Sequence, residues 1–402
     1  FDILDLICLH TEAINVFEDT HQLVFGLLSQ GNVSGVRIDH IDGLHNPEQY
    51  IERLRQKAPE AYIVVEKILT GEEQLPHNWH VHGTTGYDFL NYLIGVFIDK
   101  NNEKKIDKFY RQFSRNKEDF KDLLYDCKKL VIEQSFSGDI DNLTRLMLQV
   151  LRKKPYGKGL PAVKIREALV ELFATFPVYR TYISENNTGT KAQGYFRRAL
   201  LQATQQKEGL YAELEAIEKL LEESKDDPEA LQIIMRLQQF TGAVMAKGFE
   251  DTVLYRYNRL LSLNDVGSNP AKFGTTPEEL HAFNHIRQNK WPLTLNASST
   301  HDTKHGEDAR ARLNVLSEIP AEFGEHLERW SQLNDRLKKK VQGDIAPDYN
   351  EEYYIYQTLI GSLPFSKQEL PDFIERLKTH ITKALREAKV HSDWVAPQTT
   401  YE

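Results

Sequence analysis

The chain has 402 residues, and its 50 Lys and Arg against 59 Asp and Glu leave a formal net charge of −9. That length suits two or three ordinary domains, or one large α/β domain with insertions. No basic run is longer than Lys338–Lys340, which argues against the concentrated positive surface that a nucleic-acid partner needs.

Cys8 and Cys127 are too few for a disulfide framework and lack metal-ligand spacing, so a reducing, cytoplasmic setting is expected. No apolar run approaches the length of a membrane span, and the amino terminus lacks the layout of a signal peptide, so no membrane partner is expected. The start at Phe1 inside FDILDLICL and the end at Tyr401–Glu402 lead to the expectation of a piece of a longer protein.

In chain order, an amphipathic helix is predicted around Val16–Leu28, ending near Gly31. A strand Gly35–Asp39 follows, then a helix Pro47–Lys57 with Asn46 as N-cap and Pro47 at the first helical position. A second strand is predicted over Ala61–Glu66. Asp39 and Glu66 are 27 residues apart, the size of one parallel βαβ unit, which sets the two strand ends side by side. Residues 100–240 read as helical. Ile106, Phe109, Tyr110 and Phe113 form one apolar stripe, and Phe120, Leu123, Leu124, Cys127, Leu130 and Val131 form another.

Glu213–Lys225 reads as a solvated helix face that ends at Asp226-Asp227-Pro228. Phe176–Ile183 alternates like a strand, and Gly242–Gly248 is a second short strand candidate. From residue 290 α/β grammar returns: a strand Leu293–Ser299 is predicted to run into Thr300-His301-Asp302-Thr303. A helix carrying Ala309, Leu313 and Leu316 follows, and then a long helical stretch. No repeat or low-complexity tract occurs.

Side chains alternate along a strand, so Val36 and Ile38 share one face while Arg37 and Asp39 share the other. At the mouth of a parallel barrel, Arg37 would keep Asp39 ionised and hold its carboxylate still, which suits a nucleophile. Tyr62, Val64 and Glu66 share a face of the neighbouring strand. Glu66 could be the acid partner, at the roughly 5 Å separation of retaining glycosidases, unless Lys67 points the same way and opposes a raised pKa. The same residues also fit a structural ion pair with Glu66 as a solvated strand end, and spacing does not separate the two. His301-Asp302 could add to the same rim, or Asp302 could cap the helix that follows. His80 and His82, in WHVHGTTGYD (79–88), lack the accompanying cluster that would make them a metal site.

The blocks GVRIDHIDGL (35–44), VVEKIL (64–69), GTTGYDF (83–89), MAKGFEDT (245–252) and STHDTKHGEDARARL (299–313) together resemble the α-amylase superfamily, glycoside hydrolase family 13. The likeness is closest to its trehalose-forming branch and extends to PVYRTYI (177–183) and LYRYNRLLSLNDVG (254–267). It implies an incomplete (β/α)8 TIM-type barrel with large, mainly helical insertions. Residues 1–100 would hold the nucleophile and acid/base strands, 101–240 a helical insertion, 241–317 the return to the barrel with the third carboxylate, and 318–402 a helical segment.

It further implies Asp39 as nucleophile, Glu66 as general acid/base and Asp302 as the stabilising carboxylate. Arg37, His40, His301, Lys304 and Tyr87 would contact substrate, with no cofactor and no metal. The implied reaction converts the reducing-end α-1,4 link of a maltooligosaccharide to α,α-1,1 within one molecule. A retaining glucan hydrolase and a non-catalytic glucan-binding protein are the alternatives. Ile41, His80 and His305 stand where the superfamily branch usually has proline, proline and arginine. The early block with Asp and Asn-His and the block of the eighth strand are not found, so the isolated chain is expected to be nearly inactive and to self-associate through open barrel edges.

Overall fold

The computed structural model describes residues 9–71, 73–187 and 190–402. Cys8 and the opening segment up to it lie outside the described residues. The chain is rich in helix with few strands and divides into two compact units. The first contains residues 1–85, 124–248 and 291–295, the second residues 86–123, 249–290 and 296–402.

The first unit holds a three-stranded parallel sheet in the order β1 (Gly35–Ile38), β2 (Tyr62–Val65), β3 (Gly83–Thr84). Helix α1 (Ile14–Ser29) precedes β1, and α2 (Pro47–Lys57) is the crossover from β1 to β2. Asn46 caps α2 as expected: its side chain accepts from the Gln49 N–H at 3.1 Å, with Pro47 in the first turn. β1 and β2 pair from Gly35↔Tyr62 to Ile38↔Val65. Gly35 allows this approach, because a Cβ there would meet the Tyr62 carbonyl oxygen at 2.4 Å.

Under the sheet, Phe17, Ile41, Ile51, Leu54, Ile63 and Val65 form one core. A second, larger core joins the helices Phe120–Ser135, Ser137–Leu151, Ala162–Ala174, Thr190–Gln206, Tyr211–Glu223 and Pro228–Val244. The Glu/Lys-rich stretch is therefore only partly a solvated face. Leu214, Ile217, Leu220 and Leu221 are buried on it, and so is Glu213. The helix does end before Asp226–Pro228, at Glu223, and Asp227 caps the next helix through the Glu229 and Ala230 amides.

Three expected strands do not form. Phe176–Ile183 joins no ladder and bends at Val178 and Tyr179. The side-chain amide of Gln238 takes the place of a neighbouring strand, accepting from the Ile183 N–H at 2.7 Å and donating to its carbonyl at 2.9 Å. Gly242–Gly248 is helix, where Pro228–Val244 runs on into a π-helical segment, Met245–Val253. Leu293–Ser299 makes no ladder either. Thr294 meets β3 through its hydroxyl, 3.0 Å from the Thr84 N–H, and Leu295 donates its N–H to the Thr84 carbonyl at 3.3 Å. A regular third strand in the sheet comes instead from the Gly-Thr of GTTGYDF.

The second unit is built from the helices Tyr87–Val96, Glu103–Ser114, Pro277–Lys290, Glu307–Asn314, Pro320–Asn334, Tyr349–Ser362 and Leu370–Ala388. An aromatic cluster of Tyr110, Phe113, Tyr257, Phe323 and Tyr353 lies inside it. Helix Tyr349–Ser362 begins with a capping box between Asp348 and Glu351. A hairpin of Lys339–Val341 and Asp344–Ala346 is also present. No helix among the described residues is long and apolar enough to cross a membrane.

Candidate active site

The parallel register brings the ends of β1 and β2 together. The Glu66 N–H donates to the Ile38 carbonyl at 2.8 Å, one step beyond the last paired residues. Arg37 spans both carboxyls, with Nη1 2.6 Å from Asp39 Oδ1 and Nη2 3.4 Å from Glu66 Oε1. The two carboxyls are close enough for each to shift the other's proton affinity. Asp39 is open, its side chain 67 % exposed, whereas that of Glu66 is 16 % exposed.

Their proton affinities diverge accordingly. Burial works to raise Asp39, but hydrogen bonds, that from Arg37 foremost, bring it below the ordinary carboxylate value. Burial raises Glu66 above it, with the neighbouring Asp39 adding to the rise and the His40 N–H and Arg37 only partly offsetting it. One site thus holds, side by side, a carboxyl with lowered and a carboxyl with raised proton affinity, the divergence that acid-assisted displacement uses.

Directly after Asp39 the backbone turns sharply. His40 has φ 46° and ψ 49°, a left-handed conformation uncommon for a residue with a side chain, and its N–H donates to Glu66 Oε2 at 2.6 Å. The 3-10 turn Ile41–Gly43 follows. Gly43 leaves room for the His40 ring, since a Cβ there would lie 2.4 Å from His40 Cδ2.

Beneath the turn, Lys67 points into the protein and away from Glu66. Its buried ammonium is 3.3 Å from Asp42 Oδ2 and 3.0 Å from Glu73 Oε1, and it donates to the Ile68 carbonyl at 2.8 Å. The possibility that Lys67 opposes a raised Glu66 pKa therefore does not arise. Burial opposes the charge on Lys67, yet Asp42 and Glu73 together hold it above the usual lysine value. Tyr182 donates its hydroxyl to Asp42, and Arg180 donates to the carbonyls of Asp42, Leu44 and His45.

The remaining candidates belong to the second unit. His301 and Asp302 are exposed in a turn braced from within by threonines. The Asp302 N–H donates to Thr300 Oγ1 at 3.1 Å, Thr300 Oγ1 donates to the Tyr87 hydroxyl at 2.9 Å, and Thr303 Oγ1 donates to the Thr300 carbonyl at 2.9 Å. Helix Glu307–Asn314 starts at Gly306 with no side-chain cap, so the Asp302 carboxylate is not spent there. Tyr87 is buried, and Lys304 reaches Asp251 Oδ1 at 3.1 Å with its side chain 9 % exposed.

Below this turn Arg310 Nη1 lies 3.1 Å from Asp265 Oδ2, both buried, and Arg310 also donates to the Ser298 carbonyl. Burial pushes Asp265 up to about 6 against the pull of Arg310. His82, considered above for a metal, accepts the Ile63 N–H on Nδ1 at 2.9 Å and lies against Tyr62, its ring 4.9 Å away.

No family model matches the chain. A putative maltooligosyl trehalose synthase of Mycobacterium tuberculosis is 32 % identical over 406 aligned residues, covering 100 % of this chain and 49 % of that protein. The solved maltooligosyltrehalose synthase of Arthrobacter ramosus is 30 % identical with a TM-score of 0.83, covering 98 % of this chain and 47 % of its own. A hypothetical maltooligosyl trehalose synthase of Sulfolobus tokodaii is 37 % identical with a TM-score of 0.77, at the same coverages of 98 % and 47 %. Over its whole length the chain is similar to maltooligosyltrehalose synthases. It spans about half the length of the relatives it matches.

Against the family pattern, Ile41 is accommodated as a fully buried core residue. His305 packs near Tyr354 and His380, with both ring nitrogens buried and unpartnered. Burial lowers it to about 3, so it stays neutral. The sequence reading missed Asp42, Glu73, Arg180 and Tyr182 under one turn and Asp265, Thr300 and Arg310 under the other. All of these except Glu73 fall inside quoted blocks, but only the folded structure marks them as a framework rather than as surface groups.

Proposed function

We propose that the protein carries out intramolecular transglucosylation on maltooligosaccharides, moving the reducing-end glucose from an α-1,4 to an α,α-1,1 link. The observation that carries this reading is the Asp39–Arg37–Glu66 corner, with one carboxyl held below and one above the ordinary carboxylate value at adjacent parallel strand ends. Asp39 attacks the anomeric carbon of the penultimate glucose while Glu66 gives its proton to the departing glycosidic oxygen. A glycosyl-enzyme and a free terminal glucose result. That glucose stays bound and turns over. Its anomeric hydroxyl, deprotonated by Glu66, displaces Asp39 with configuration retained at the attacked carbon.

In this reading Asp302 stabilises the positive charge that develops on the sugar, while His40, His301, Lys304 and Tyr87 position the substrate and Arg37 holds Asp39. The sheet is then the middle of a TIM-type barrel, with residues 101–240 and 318–402 as helical insertions and residues 241–317 returning to the barrel. The enzyme works in the cytoplasm without cofactor or metal. β1 forms one edge of the sheet among the described residues, with Val36 and Ile38 half-buried. The 402-residue chain taken alone is therefore expected to turn over poorly and to self-associate.

Incubation of the intact protein with maltopentaose tests the reading. Loss of reducing ends without free glucose is expected. A gain of reducing ends would replace the isomerase with a retaining hydrolase, and no change would leave only glucan binding.

A further inference from the structure

We propose that Arg180 is a positioning residue for Glu66, acting at a distance through the Ile41–Gly43 turn and the backbone amide of His40. The proposal rests on the reading of Asp39 and Glu66 as the reacting pair.

Arg180 is 2 % exposed and touches neither carboxyl; its guanidinium gathers three carbonyls from the far side of the turn, those of Asp42, Leu44 and His45. The chain that delivers it is itself fixed. Gln238 pairs with the Ile183 backbone on one side of Arg180 and accepts from Thr181 Oγ1 at 2.8 Å, and Thr241 Oγ1 donates to the Tyr179 carbonyl at 2.7 Å. The helix Pro228–Val244 adds a fourth hold on the turn, from Gln239 Nε2 to the Gly43 carbonyl at 2.7 Å. Asp42 is gripped in the same turn by Lys67 and Tyr182.

What this framework maintains is an unfavourable backbone state at its near end. His40 sits at φ 46°, a conformation that persists only where its surroundings over-determine it. That conformation aims the His40 N–H at Glu66 Oε2, 2.6 Å away. A hydrogen bond to a carboxylate favours its ionised form. Arg180 therefore sets how firmly Glu66 keeps its proton and where its oxygens stand. In the same unit the charged side chains facing Glu66 are Arg37 and Asp39, with His40 acting on Asp39. Lys67 is turned away into the protein.

The test uses the intact protein with Arg180→Met, Arg180→Lys and Tyr182→Phe, reading kcat and KM on maltopentaose, the pH profile of kcat/KM, and Tm. Arg180→Met is expected to lower kcat by on the order of 10²-fold with KM little changed. Its basic limb should move to higher pH by about one unit, because Glu66 loses the His40 hydrogen bond. Arg180→Lys should fall between Met and wild type, and Tyr182→Phe, which deletes one hydroxyl, should move the limb the same way by less.

A basic limb that stays in place in the folded variants, with activity lost only in proportion to active protein, overturns the proposal and leaves Arg180 a structural residue. If the Arg180 variants do not fold, an unmoved limb in folded Tyr182→Phe overturns it equally. Asp39→Asn is the control for the underlying reading. Retained turnover there removes the reacting pair itself, whatever Arg180 does.

Discussion

The turn at His40 and the turn at His301 each expose an adjoining histidine and aspartate, Asp39–His40 in one unit and His301–Asp302 in the other, but they are built differently. The first hangs from a parallel sheet, so the backbone ladder fixes where Asp39 and Glu66 stand before any side chain acts. Among the described residues the second has no strand beneath it. Threonine hydroxyls and the buried Asp265–Arg310 pair do the work that a ladder does elsewhere. Backbone pairing is distributed over many bonds and tolerates the loss of one side chain. A turn held by one ion pair with no solvent access concentrates its stability in two residues.

The sharpest break in the comparison comes from Asp39→Asn in the intact protein. On the proposed chemistry turnover falls by on the order of 10⁴-fold or more, while the Tm stays close to wild type because the side chain is exposed. Next, Glu66→Gln is expected to cost roughly 10²–10⁴-fold in kcat and to remove the basic limb of the pH profile. The sign follows from the two carboxyls. Asp39 must be ionised and is held below the ordinary value, so the acid limb lies low. Glu66 must keep its proton and is held above, so activity falls as pH rises through its own raised value. A wild-type profile without these two limbs would separate Asp39 and Glu66 from the chemistry.

Arg310→Met addresses the other turn and should act on stability. Removing the partner of buried Asp265 costs about 3–5 kcal/mol, read as a lowered unfolding midpoint in urea. The pair also has a pH signature. Burial pushes Asp265 up to about 6 from the ordinary carboxylate value of 3.8. Its favourable contribution is therefore complete below the unfolded value and lost as pH rises through the folded one. The stability of wild type relative to Asp265→Asn should accordingly decline between about pH 4 and pH 6, and a flat difference across that window would contradict the assignment. The smallest effect is expected from Asn46→Ala, which removes the cap of α2 at about 1 kcal/mol. It should leave kcat unchanged, since the crossover helix supports β1 and β2 without touching the carboxyls.

Legibility in the sequence followed the same division. The βαβ unit could be read from residues because each signal in it is local: a β-branched strand, an Asn-Pro helix start, and a spacing that fits one crossover. Alternation then placed Arg37 with Asp39, and the ladder carried Glu66 to the same edge. Phe176–Ile183 misled the same reasoning, because its alternation was genuine but its hydrogen-bonding partner was the side chain of Gln238, 55 residues from Ile183. Leu293–Ser299 misled it likewise, with Thr294 meeting β3 through a hydroxyl 210 residues away from Thr84. No periodicity reports a backbone paired with a distant side chain.

What the amino-acid sequence determined by itself was the local chemistry: which residues alternate, where α2 begins, and which carboxylates stand at strand ends or in turns. Only the tertiary structure decided the state of those groups. The left-handed His40, the inward turn of Lys67, the convergence of three carbonyls on Arg180 and the burial of Asp265 all depend on packing between segments far apart in the chain. Packing decides them because proton affinity and backbone strain are set by the nearest charges, donors and excluded water, wherever in the sequence these originate.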